Sequence, residues 1–143
     1  RHRVRARLMP FVLDNSVAVA WFIEDEADES VDGVLDRLQA GDEAIVPGLW
    51  AAELLSALGN AVRHGRLSAE QLQASVEAVT DLPIRLDAQP ATAARLLELR
   101  GRHGLSPYDL CYLELAIRLG LPLATKDAAL AQAADVAGVA RLL

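Results

Sequence analysis

One cysteine and one lysine stand in 143 residues. Cys111 alone cannot form a disulfide framework or a cysteine-based zinc site within one chain. A reducing cytoplasm is the simplest compartment for such a chain. Cys111 falls inside a helical pattern, so a buried, inert core thiol is expected. Aromatic residues make up 4%, too few for a broad base-stacking surface, and Trp21 and Trp50 are expected in a core or an interface. No apolar stretch approaches the ~20 residues of a membrane-spanning helix. The basic opening Arg1 to Arg7 is followed by no long apolar segment and does not read as a secretory signal. A glycine-rich phosphate loop is missing. His2, His64 and His103 are isolated, without metal-ligand spacing. His64 and His103 each precede a glycine that ends a helical pattern, where they suit the helix dipole.

The chain is poor in cations for its acids. The formal charge is −6, and removing the arginines at positions 1, 3, 5 and 7 takes it to −10. A general nucleic-acid binder wants a basic surface, so any such contact here must be local, and a basic protein partner fits better. Met9-Pro10-Phe11 resembles a natural start, so residues 1 to 8 are expected to be an extension or an expression remnant, with the domain over 9 to 143. The 52% hydrophobic content suffices for one core.

Strand and helix patterns alternate. Residues 11–14, 44–46, 84–86 and 121–124 read as strands, and Val136 to Leu142 offers a fifth. Helices are expected over 16–23, 29–39, 49–64, 68–80, 90–103, 106–119 and 127–134. Ser68 with Gln71 makes a capping box. Such alternation implies an α/β fold with a parallel sheet covered on both faces. The carboxyl ends of its strands then share one edge.

Four acids map to that edge. Asp14 ends the first strand, Glu53 lies early in the 49–64 helix, Asp109 opens the 106–119 helix, and Asp127 follows the fourth strand. Singly, each has a structural explanation as a helix cap or a first-turn acid. Together, with Asp14 and Asp109 set among apolar neighbours, they point to a site. Clustered carboxylates repel one another unless a cation neutralises them, and Mg²⁺ or Mn²⁺ takes oxygen ligands. That chemistry suits phosphoryl transfer. The acidic run 24–29 reads as a solvated face.

The segments 12–22, 47–58, 105–116 and 123–127, in this order and spacing, resemble the four motifs of PIN-domain proteins of the VapC toxin type. The resemblance covers about residues 11 to 140. It implies a PIN-like three-layer α/β/α sandwich with a central, mostly parallel sheet of four to five strands. It further implies a Mg²⁺- or Mn²⁺-dependent endoribonuclease that dimerises and is neutralised by a cognate VapB-like antitoxin. Carried over by position, Asp14, Glu53, Asp109 and Asp127 are the metal-site acids, and Ser16 and Thr125 match accompanying hydroxyls. Asp14 and Asp109 are expected as inner ligands. Glu53 would ligate or orient water, and Asp127 would serve a second ion or act through water. Asn15 and Ser56 depart from the motifs, which often have a small residue and an asparagine there.

Two alternatives stay open. A receiver-like signalling domain also places acids, Thr and Lys at one sheet edge, but wants paired acids after its first strand, where Asn15-Ser16 stand. A non-catalytic binding module would keep the fold and use its acids only as caps.

Overall fold

Two apolar triplets, Phe11–Leu13 (β1) and Ala44–Val46 (β2), are buried at every residue. Strands that bury alternate residues equally are covered on both faces, as in a parallel sheet. A computed structural model describes residues 9–143; the expectation for residues 1–8 lies outside them. Ile84–Leu86 (β3) and Leu123–Ala124 (β4) complete a four-stranded sheet in the order β3-β2-β1-β4. All three pairings are parallel. The expected strand at 121–124 shortens because Pro122 has no N–H to give the ladder, although its carbonyl accepts from Val12 N–H at 2.8 Å. The expected fifth strand reduces to one parallel bridge between Leu123 and Arg141, because the last helix runs on to Val136 and a turn follows it at Gly138.

The helices are Asn15–Phe22 (α1), Glu29–Gln39 (α2), Trp50–Arg63 (α3), Ala69–Thr80 (α4), Ala93–His103 (α5), Pro107–Leu119 (α6) and Ala128–Val136 (α7). α4 opens on the expected Ser68–Gln71 capping box. α5 begins at Ala93 rather than Pro90, because Thr92 supplies the cap, accepting from Arg95 N–H at 3.2 Å. It ends at Gly104, whose φ of 67° is one a β-carbon would strain. α1 packs on α2 and α3, and α3 on α4; α6 packs on α5, α7, β1 and β4. The two helix groups and the sheet share one apolar core. β3 is one of the two edge strands, and its side chains are largely exposed.

The strand order separates this fold from the receiver-like alternative. Receiver sheets run 2-1-3-4-5, with β1 between β2 and β3. Here β2 lies between β1 and β3.

Core and surface leucines are expected to respond differently. Leu113→Ala removes a side chain with no exposure, at a cost of about 2–5 kcal/mol in urea unfolding. Leu97→Ala, at a position 68% exposed, should change stability by less than about 0.5 kcal/mol.

Candidate active site

A parallel sheet brings the carboxyl ends of its strands to one edge, and the acids follow those ends. Asp14 comes directly after β1, and Thr125-Lys126-Asp127 directly after β4, the neighbouring strand. Glu53 lies in the first turn of α3, which follows β2. Asp109 lies in the first turn of α6.

Asp14 is the centre of the arrangement. It is 3% exposed, and it occupies the N-cap position of α1 without capping it. Its Oδ2 instead accepts two hydroxyl hydrogen bonds, from Ser16 at 2.6 Å and from Thr125 at 2.7 Å. Both hydroxyls are held in turn. Ser16 Oγ accepts from the Lys126 N–H at 2.9 Å, and Thr125 Oγ1 from the Asp127 N–H at 3.0 Å. The β1 and β4 ends are thus laced through one carboxylate oxygen. Asp14 Oδ1 accepts no side-chain hydrogen bond among the described residues, which leaves it free for a ligand.

The other acids are half-buried around it. Glu53 Oε1 accepts from the Tyr112 hydroxyl at 2.5 Å. Asp127 does cap α7, accepting from Leu130 N–H at 3.0 Å through Oδ1. For Asp109, one half of the expected capping box is present: Ser106 Oγ accepts the Asp109 N–H at 3.2 Å. The capping reading therefore holds for Asp127 and fails for the Asp14 side chain.

Burial is the first reason the carboxyls of Asp14, Glu53 and Asp109 titrate above their ordinary range. Hydrogen bonds from Ser16 and Thr125 partly offset it at Asp14, and the Tyr112 hydroxyl does so at Glu53. Mutual repulsion adds to it: Asp14 feels Asp109 and Asp127, Glu53 feels Asp14 and Asp109, and Asp109 feels Asp127. Among the described residues, no three acidic, His or Cys side chains already converge into a metal cage. The donor set nevertheless fits a hard divalent cation. It offers only oxygen atoms, carries excess negative charge, and keeps one Asp14 oxygen open.

Tyr112 is the functional candidate that sequence reasoning passed over. It is completely buried, three residues after Asp109 on α6, and burial followed by its hydrogen bond to Glu53 drives its hydroxyl far above the ordinary phenol range. A phenol in an otherwise apolar helical stripe, one turn from a candidate acid, was the available signal. One expectation changes: Cys111 is half-buried rather than a core thiol. The acidic run is largely exposed, as expected, with Arg66 paired to Asp25 and Glu26 and Lys126 to Asp28. His64 and His103 do sit at helix ends, and Trp21 bonds the Val31 carbonyl at 2.8 Å. Ser56 is exposed on α3, and Asn15 is half-buried at the start of α1.

The raised carboxyls make stability pH-dependent. Their protonated forms are favoured in the fold, so their contribution is full below the ordinary values of 3.8 and 4.5 and is lost as pH rises through the higher folded values. Exposed Asp28 works oppositely, its pKa lowered to about 2, and its contribution is lost as pH falls towards that value. In chelator, Asp14→Asn should therefore melt higher than the parent at neutral pH, with the gap closing below pH 3.8. A variant that melts lower at neutral pH would mean that Asp14 is a structural anion.

A family model described as PIN domain matches residues 11–136. Ribonuclease VapC1 of Mycobacterium tuberculosis, from strains CDC 1551/Oshkosh and H37Rv, is 38% identical over 89 residues, 61% of this chain. That match spans 65% of the length of each of these relatives. Among solved structures, PAE2754 from Pyrobaculum aerophilum superposes with a TM-score of 0.68 at 18% identity, covering 94% of this chain and 84% of that one. FitAcB from Neisseria gonorrhoeae gives 0.61 at 23% identity, covering 93% and 96%. VapBC2 from Rickettsia felis, bound to a DNA fragment from their promoter, gives 0.56 at 16%, covering 83% and 89%. The four-stranded parallel sheet, the acids at its carboxyl edge and a family match over most of its length make this chain a member of the PIN-domain family.

Proposed function

We propose that this chain is a Mg²⁺- or Mn²⁺-dependent endoribonuclease, the toxin of a VapBC-type pair, working at the Asp14, Glu53, Asp109 and Asp127 edge. The observation that carries the reading is the buried Asp14 carboxylate, one oxygen pinned by Ser16 and Thr125 and the other left open, among three further acids. The name of the 38%-identical relatives supports ribonuclease activity.

The chain's own groups divide the work. Ser16 and Thr125 fix the rotation of the Asp14 carboxylate, so that Oδ1 faces away from the hydroxyls. Asp109 joins it as an inner ligand. Tyr112 holds Glu53 through Oε1, which leaves Oε2 to ligate or to orient the attacking water. Asp127 spends Oδ1 on the α7 cap and acts through its second oxygen or through water. The chemistry a divalent ion supplies when bound is neutralisation of phosphate charge and a more acidic water for attack at phosphorus.

The same geometry suits control by a basic partner. Four acids at one edge and a charge of −10 without the leading arginines favour a cognate VapB-like antitoxin that inserts an Arg or Lys in place of the cation. Exposed Leu55, Val76 and Leu86 rim an apolar groove of about 500 Å³ between α3, α4 and β3, a surface suited to an amphipathic helix. A homodimer completes the reading. Among the described residues no helix is long and apolar enough to cross a membrane.

Purified chain should cut single-stranded or looped RNA with Mg²⁺ or Mn²⁺ and stop in EDTA; undiminished cutting in EDTA would end the metal mechanism. Asp14→Asn and Asp109→Asn should each lower cleavage by roughly 10²–10³-fold with folding intact, the loss typical of removing one group that stabilises transition-state charge. Tyr112→Phe should cost roughly 10–100-fold, as outer-shell changes do.

Expression of the chain alone should arrest growth, and co-expression of the adjacent small gene should restore it. Light scattering is expected to give a dimer alone and a larger complex with that partner. Harmless expression with no complex would remove the toxin role while leaving a metal nuclease possible.

A further inference from the structure

Asp14 and Asp127 follow β1 and β4, with Glu53 and Asp109 in the first turns of α3 and α6. The β2 and β3 ends carry something different. Pro47-Gly48 follows β2, Leu86-Asp87 closes β3, and between them and α6 lies a pocket of about 400 Å³. β2 and β3 stand one and two strands out from β1, roughly 5 and 10 Å along the same edge. That is the scale of one nucleotide beside the reacting phosphate.

α6 faces both regions. Asp109 and Tyr112 look to the acids, whereas Cys111, Glu114 and Arg118 line the pocket. Cys111 links the two: it lines the pocket and is the chain neighbour of Tyr112, whose hydroxyl donates to Glu53. The pocket therefore adjoins the Glu53 side of the site.

In its polar wall one carboxylate oxygen, Asp87 Oδ1, accepts no hydrogen bond among the described residues. Buried Glu114 takes Arg118 Nε at 2.8 Å and Nη2 at 3.2 Å. The same Nη2 reaches Asp87 Oδ2 at 2.8 Å and the Gln89 carbonyl at 3.1 Å. One guanidinium thus serves two carboxylates, and the trio keeps a net charge of −1. Arg118 Nη1 makes no hydrogen bond among the described residues. The other walls are apolar, from Leu49 and Leu86. A phosphate is repelled here. A flat ring with adjacent donors is favoured.

We propose that this pocket is a base subsite selective for guanine, seating a nucleotide next to the scissile phosphate. Guanine alone among the four bases sets two N–H donors side by side, N1 and N2, to meet a carboxylate, with O6 as an acceptor for Arg118. Adenine and cytosine offer an amino group beside an acceptor, and uracil one donor between two acceptors. The cleavage role of the subsite rests on the ribonuclease reading; base binding does not.

Cys111, the sole thiol, reports on the pocket directly. In chelator, guanosine should slow iodoacetamide labelling of the full chain at least threefold, while adenosine, cytidine and uridine change it little. Equal protection by all four, or by none, would overturn the subsite. Asp87→Asn should abolish the guanosine effect. Should that variant not fold, Ala91→Trp, which fills the pocket from the loop before α5, must abolish it instead; retained protection counts against the proposal. With Mn²⁺, RNA ends should map next to guanines. Cutting without guanine preference and without guanosine protection sinks the subsite and spares the nuclease. Guanosine protection without any cutting supports the subsite and sinks the nuclease.

Discussion

Burying the Asp14 carboxylate is the constraint on which the rest of this structure turns. An ionised carboxylate loses water at a cost that must be recovered by hydrogen bonds or by a cation. Here the recovery is split. Ser16 and Thr125 donate to one oxygen, and those hydroxyls are themselves oriented by the backbone N–H groups of Lys126 and Asp127. The start of α1 and the end of β4 are therefore positioned by the same atom. The remaining oxygen, with Glu53, Asp109 and Asp127 around it, leaves charge uncompensated, which is what a divalent ion or a basic partner side chain relieves.

Parallel pairing is what turns this local problem into a site. Because all strands run the same way, each strand end and each following helix start contribute to one edge. Asp14 and Asp127 stand at the ends of β1 and β4, and Asp87, after β3, joins Glu114 and Arg118 of α6 in a separate network. α6 spans the division, with Tyr112 steadying Glu53 on one side and Cys111 and Glu114 on the other. The fold thereby offers two chemically distinct stretches along one edge.

Much of this was legible from local pattern. Phe11–Leu13 and Ala44–Val46 read as strands because continuous short apolar runs suit two-sided burial, and they are buried throughout. Ser68–Gln71 read as a capping box because both partners are local. Errors arose where a distant element decided. Whether Val136 to Leu142 forms a strand depends on where the last helix stops, and with α7 running to Val136 and a turn at Gly138 only one bridge forms. Cys111 sits on a helix whose apolar stripe reads as core, but the neighbouring loop stands off and opens a pocket.

The sequence by itself determined the alternation of strand and helix, the parallel sheet and the placing of Asp14, Glu53, Asp109 and Asp127 near one edge. These follow from periodicity, turn residues and chain direction, which act over a few neighbours. Only the tertiary structure decided which Asp14 oxygen is held and that the Tyr112 hydroxyl meets Glu53, while the Asp14 side chain caps nothing. Those outcomes depend on side chains 59 and 111 positions apart meeting within hydrogen-bond distance. Packing, not local propensity, sets such distances.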